Sequence, residues 1–246
     1  MVRITASSPI LLIHLPYCWT VIFLSVCIMN LSQVAAAFQP FDTLAAQLLP
    51  YVEDDAGDGS HDLSHLLRVW NNARRLQAEE GGELRILVAA VLLHDCVHVE
   101  KNSPLRSQAS TLSGERAQQI LSSLGWAAKD AQGVAHAVQA HSYSAQITPQ
   151  TLEAKIVQDA DRLDAIGAIG VARCFYVAGR MGSGLYEAQD PQAEQRPLQD
   201  ARYALDHFPA KLFRLQEGFQ TAAGAAMAQA RQQRMRGFVE QFLSEL

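Results

Sequence analysis

From Phe38 onward, apolar residues recur three and four positions apart and no period-two run is sustained, a pattern that predicts helix after helix and no strand. The expected fold is all-α: one helical bundle with a long loop before its C-terminal helices. A first helix spans roughly Phe41 to Val52 and is broken by the acidic Glu53-Asp54-Asp55 segment with Gly57 and Gly59. Ser60 is a candidate N-cap for a second helix, about Asp62 to Glu80, which carries Leu63, Leu66, Leu67, Val69, Trp70 and Ala73 and stops at Gly81-Gly82. The third runs from Leu84 to about Val97. Its apolar stretch to Leu93 predicts burial, after which it meets His94-Asp95-Cys96-Val97-His98 and dissolves into Lys101-Asn102-Ser103-Pro104. A fourth covers about Ser110 to Leu124 and a fifth about Lys129 to His141. Thr151 to Ala178, the most apolar of the long stretches, reads as a single central helix. Gly167 and Gly170 inside it each weaken helix by roughly 1 kcal/mol relative to Ala, which points to close packing or to a local kink. Gly179 to Leu205 is rich in Gly, Pro and charge, and a loop of that length suggests an active-site cover. Helices near His207 to Gln220 and Ala222 to Leu246 close the chain.

The first 37 residues break this pattern. Arg3 is the one formally charged side chain before Gln39, and Tyr17 to Met29 is nearly continuous apolar sequence. Three readings fit. Arg3 and Ala35-Ala36-Ala37 match the n-region and cleavage site of a signal peptide. The apolar run could be a membrane anchor, although His14, Pro16 and Asn30 interrupt it. Alternatively Met29 is the start and residues 1–28 are upstream sequence. The last reading is adopted, with residues 1–37 as an extension, 38–246 as one catalytic domain and the cytoplasm as the compartment; the other two would export or tether the protein.

Bulk properties narrow the function classes. With 246 residues, 49% apolar and 18% charged, the chain can bury one good-sized core of ordinary globular type. A net charge of −5 argues against a broad grip on a nucleic-acid backbone. Among four cysteines there is no CxxC pair, so neither a zinc knuckle nor a disulfide framework is indicated. A serine-nucleophile hydrolase and a dinucleotide fold both need a strand before their glycine motif. No strand is expected here, and Gly182-Ser183-Gly184 is read as part of a mobile loop.

The chemistry concentrates on a few side chains. Neighbours on a helix point about 100° apart, so His94 and Asp95 can converge on one point only where a helix is ending. Together with His65 upstream and Asp161 downstream they offer two imidazoles and two carboxylates, a donor set suited to a borderline divalent ion with open positions. Asp62, His65 and Arg68 lie three apart and share a helix face. Asp159, Asp161 and Asp164 fall among aliphatic side chains, where a bare carboxylate is expensive to bury unless a metal or an arginine such as Arg162 offsets the cost. A salt-bridge cluster on the outer face would account for Asp159 or Asp164, though not for all three.

The ordered set His65, His94-Asp95 and Asp161 resembles the HD superfamily of metal-dependent phosphohydrolases, whose motif runs His, His-Asp, Asp. The likeness extends from Ser60 to about Ala178. His61-Asp62, Arg68-Val69, Ala140-His141-Ser142, the segment Tyr203 to Phe208 and Lys211-Leu212 are similar to the small bacterial HD-domain nucleotide phosphohydrolases. This resemblance implies that His65, His94, Asp95 and Asp161 hold one divalent ion, manganese first, with magnesium, zinc, iron, nickel or cobalt as alternatives. Asp161 is preferred to Asp159 because the family's ligand precedes a basic residue, here Arg162. Asp95 would also orient a water. Where several members carry a Glu three residues after that Asp, this chain has His98, whose imidazole can transfer protons near neutral pH. His141 is read as a substrate-phosphate contact and His136 as core or surface. Arg68, Lys101 and Arg162 are the further substrate contacts, with Arg173, Arg180 and Arg196 weaker candidates. The implied activity is hydrolysis of a small nucleotide, as a nucleoside triphosphate pyrophosphohydrolase or a nucleotidase. The alternative is a regulatory module that binds metal and nucleotide without turnover. The expected partner is a small nucleotide and no nucleic-acid polymer; membrane contact requires residues 1–28 to be a true anchor, and a homodimer is left open.

Overall fold

A computed structural model describes residues 31–52, 63–99, 103, 105–142 and 145–246. The apolar run to Asn30, the breaker at Glu53 to Gly59, the cap Ser60, the His61-Asp62 pair and Lys101 lie outside the described residues. Within them the elements are helices: α1 (Leu31–Ala36), α2 (Asp42–Leu48), α3 (Leu63–Glu80), α4 (Leu84–Leu93), α5 (Ala109–Ser123), α6 (Ala128–His141), α7 (Leu152–Asp164), α8 (Gly167–Met181), the single turn α9 (His207–Ala210) and α10 (Ala222–Ser244). The sole β feature among the described residues is an isolated bridge between Gly184 and Tyr203. The fold is therefore all-α, as the periodicity requires.

α4 is the core helix in the strictest sense, since every residue from Ile86 to Leu93 is buried. Glu83 caps its start by accepting from the Arg85 amide. At its other end the helix stops at Leu93, short of the predicted Val97, and His94 to Val99 continue as turn and loop. α7 packs against α3 and α6 and also touches α10. Before α2, the short α1 buries Val34 and Ala35, Phe38 stacks on Trp70 at 5.4 Å, and the Trp70 indole donates to the Ala37 carbonyl at 3.2 Å. No described helix is long and apolar enough to cross a membrane.

The continuous helix expected from Thr151 to Ala178 is corrected to two. α7 closes at Ala165, Ile166 is extended (φ −128°, ψ 168°) and Gly167 adopts φ +78° as the first residue of α8. A β-carbon at Gly167 would meet the Arg231 stem at 3.1 Å, and one at Gly170 would lie 2.4 Å from the Ala165 carbonyl oxygen. Kink and close packing thus coincide at one place, and only glycine tolerates both demands. The central-helix role belongs to α7 alone. The helix expected from His207 to Gln220 also shortens, to α9 and a 3-10 turn at Leu212–Arg214, because Lys211 leaves helical geometry (φ −137°) and Gly218 turns the chain with φ +80°. Burial of Phe208 against Phe175, Phe213 and Phe238 fixes that segment in place of a continuous helix.

The loop between α8 and α9 is braced mainly within itself. Gly184 exchanges backbone bonds with Arg202 and Ala204, Asp190 accepts the Glu194 and Gln195 amides, and Arg196 forms a two-pronged pair with buried Asp206 (2.5 and 2.8 Å). Tyr186 meets Phe242 of α10. None of these contacts reaches His65, His94, Asp95 or Asp161, so they lend no support to an active-site cover. The Arg196 hydrogen bonds outweigh burial and hold the Asp206 carboxyl below its ordinary value. A depressed carboxyl stabilises the fold above its unfolded pKa of about 3.9 and loses that contribution as pH falls through the folded value. Amide exchange in residues 182–206 is therefore expected to stay slow at pH 7 and to accelerate beyond the intrinsic pH effect below about pH 4, with Asp206→Asn producing the fast pattern already at pH 7. Equal protection in wild type and variant would refute this lock.

Candidate metal centre

Three helices and one helix end converge on the site. His65 comes from the first turns of α3, His94-Asp95 from the turn closing α4, His141 from the last residue of α6, and Asp161 and Asp164 from the last turn of α7. Each sits where its helix begins or ends, so the backbone there is no longer surrounded and side chains can meet. The three imidazoles are buried. Above them the carboxylates form an open rim, Asp161 being 28% and Asp95 44% exposed.

The protonation pattern of the histidines is fixed by their outer partners. A carbonyl can only accept, so His94 Nδ1 is the donor to Val91 O (2.7 Å) and His141 Nδ1 the donor to Val138 O (2.6 Å). His65 Nδ1 donates to the Asp164 carboxylate at 2.8 Å. The two remaining Nε2 atoms of His65 and His94 then face each other at 3.2 Å. Burial, the largest influence, and the neighbouring His141 and His65 lower the His94 pKa, which keeps this imidazole neutral and its Nε2 a lone pair. At that distance the two nitrogens need a proton or a cation between them. Asp161 Oδ1 lies 3.5 Å from His65 Nε2, and Asp95 Oδ2 lies 3.5 Å from His94 Nε2. Ligand atoms group as His65, His94 and Asp161, and as His94, Asp95 and His141, each group spanning at most 4.8 Å and the two sharing His94. Soft-to-borderline nitrogens with carboxylate oxygens on an exposed rim fit a divalent ion with open positions.

Asp164 is the residue that the sequence reading under-weighted. Asp159 and Asp164 are both buried, which corrects the expectation that one of them belongs to an outer salt-bridge cluster; Asp161 is the most open of the three. Asp164 accepts from Arg68 Nε (2.7 Å) and Nη2 (3.1 Å), from Arg173 Nη1 (3.1 Å) and from His65 Nδ1. Burial opposes its ionisation, but His65 and Arg68 hold it well below the usual carboxylate range. Asp159 instead accepts the Gln220 and Thr221 amides and the Thr221 hydroxyl, which ties α7 to the start of α10. The i,i+3 spacing of Asp161 and Asp164 was the available signal: one reaches toward His65 Nε2 on the open rim, the next turn braces His65 Nδ1.

The other expected site residues divide. His141 lies within the cluster, its Nε2 3.6 Å from Asp95 Oδ1. Burial alone would lower its pKa, yet the bond to Asp95 and the charges of Asp95 and Asp161 raise it to about 9, making it a cation at neutral pH. Asp95 answers in kind: desolvation opposes its charge, while His94 and His141 hold it well below the normal carboxylate range. His98 is exposed on the loop after the dyad. Arg68 is committed to Asp164, Arg162 gives Nη1 to the Gly218 carbonyl (2.6 Å), and Arg196 is held by Asp206. His136 accepts the Gln150 amide.

Comparisons with known proteins agree with this geometry. Residues 62–166 match the HD domain. YpgQ of Bacillus subtilis (strain 168) is 32% identical over 208 residues, covering 82% of this chain and 93% of YpgQ. Its crystal structure in complex with ADP superposes with a TM-score of 0.60 at 29% identity, covering 87% of this chain and 93% of that one. An HD-superfamily hydrolase from Bacillus thuringiensis gives a TM-score of 0.63 at 30% identity, with 83% and 96% coverage.

Proposed function

Since this chain belongs to the HD-domain superfamily, we propose that it is a divalent-metal-dependent phosphohydrolase of small nucleotides, cleaving either a triphosphate to release pyrophosphate or a monophosphate to release phosphate. The observation that carries the reading is the pair of buried imidazoles whose Nδ1 atoms both donate outward while their Nε2 atoms face each other at 3.2 Å beside two rim carboxylates. In this reading His65, His94, Asp95 and Asp161 are the ligands. A divalent ion held there would lower the pKa of a bound water and polarise a phosphoryl oxygen.

The chain's own groups do the rest. Asp95 is held strongly ionised, so it orients the attacking water as an acceptor and is a poor base. His141, cationic at neutral pH, donates from Nε2 to a phosphate oxygen and balances charge that builds during transfer. His98 is exposed three residues beyond Asp95, and in this reading it passes a proton to solvent. The relative seen with ADP supports a nucleotide as the ligand class.

A panel of nucleoside mono- and triphosphates, crossed with manganese, magnesium, zinc, iron, nickel and cobalt, tests this with phosphate and pyrophosphate read separately. Ion-dependent release that a chelator abolishes is expected. If nucleotides raise thermal stability yet no ion supports release, the chain is a binding module and the hydrolase reading fails.

A further inference from the structure

On the far side of Arg68 lies a cavity of about 280 Å³ between α3, α10 and the first residues of α8. Four guanidiniums wall it: Arg68, Arg75, Arg231 and Arg234. The one carboxylate in its lining is Asp164, which is already shared by Arg68, Arg173 and His65. Arg231 bonds only to neutral acceptors, the Leu163 carbonyl and Asn72 Oδ1. Arg75 and Arg234 have no hydrogen-bond or ion-pair partner among the described residues. Among the described residues none of these three arginines is ion-paired, and Asp164 is the carboxylate whose charge reaches Arg231. Burial is the main influence lowering the Arg231 pKa; the charge of Asp164 opposes it, and those of Arg75 and Arg234 push it further down, which places the three arginines within electrostatic reach of one another.

The backbone adds to the same field. Gly167, Ala168 and Ile169 line the cavity as the opening residues of α8, and Ile166 at its N-cap makes no side-chain capping bond. The positive end of a 15-residue helix therefore borders the arginines. The glycine at 167 permits the approach, because a β-carbon would press on the Arg231 stem. Planar forks with free donors beside a helix start suit phosphate oxygens.

We propose that this cavity is a second anion site, separate from the metal centre, which takes a small multivalent oxyanion of the phosphate or pyrophosphate class between Arg75, Arg231, Arg234 and the start of α8. It is independent of the functional reading above. Arg68 links the two places, since the side chain that walls the cavity also clamps the carboxylate that orients His65.

The test is calorimetric titration of inorganic pyrophosphate into the full-length, metal-loaded protein at matched ionic strength, compared across wild type, Asp95→Asn and an Arg75→Ala/Arg234→Ala double variant. Binding is expected to persist in Asp95→Asn and to weaken by at least about tenfold in the double variant, the scale of one charge-assisted hydrogen bond. Both arginines are exposed, so the double variant should fold, and relief of repulsion should leave its melting temperature without anion at or above that of wild type. Its basal turnover should match wild type. Unchanged affinity in the double variant, binding lost wholly in Asp95→Asn, or no binding at all would each overturn the site. A tenfold rise in KM in the double variant would assign the cavity to the substrate and overturn a separate one.

Discussion

Asp164→Ala is expected to lower both stability and metal affinity, although Asp164 is not placed among the metal ligands. Its buried carboxylate is the counter-charge of Arg68 and Arg173 and the acceptor that holds the His65 ring. Removing one partner of such a buried set leaves the others uncompensated, which typically costs about 3–5 kcal/mol. Urea denaturation reads that loss. Releasing His65 Nδ1 also frees the ring to turn and the tautomer to change, and outer partners of this kind usually carry a 10–100-fold effect on metal affinity. Asp164→Asn separates the two effects. The amide oxygen can still accept from His65, so metal affinity should recover toward wild type, while the missing charge keeps most of the destabilisation. Because the folded pKa of Asp164 is depressed, its contribution is complete above the unfolded value near 3.9 and fades only as pH falls through the folded one. The difference between wild type and Asp164→Asn should therefore stay constant from pH 5 to 8. A variant as stable as wild type with unchanged metal affinity would show that Arg68 and Arg173 are satisfied some other way.

The second large effect is expected at the dyad itself. His94→Ala should abolish metal binding measured by elemental analysis and reduce turnover by more than about 100-fold, beyond what outer-partner changes reach. His94 is fully buried and its loss opens a cavity, so circular dichroism must accompany the assay. Asp95→Asn is the cleaner companion, because its side chain is 44% exposed and little packing is disturbed. It too should lose turnover, with the fold intact. Retention of both metal and activity in these variants would remove the dyad from the site.

Much of this protein is legible in one dimension. Continuous burial of α4 follows from the apolar run Leu84 to Leu93, and the helix stops before the dyad because polar loop sequence follows. The set His65, His94-Asp95 and Asp161 is legible as a donor pattern, and the structure brings ligand atoms of all four close together. The carboxylate trio on α7 was harder. Sequence spacing shows that Asp159, Asp161 and Asp164 share a helix; it does not show that the Gln220 and Thr221 amides wait for the first, an open rim for the second and two arginines for the third. Those partners are 61, 62 and 96 positions away in the chain for Gln220, Thr221 and Arg68.

Residue order alone determined the helical class, the buried run of α4 and the donor types, because periodicity and side-chain chemistry are local properties. Tertiary structure decided the break at Ile166-Gly167, the protonation pattern of the three histidines and the cluster of arginines behind Asp164. Each of these depends on which groups meet across helices: the Arg231 stem against Gly167, Asp164 against His65, and Arg75 with Arg234 beside Arg231. Sterics and electrostatics act through space at a few ångströms, and the order of residues does not list those distances.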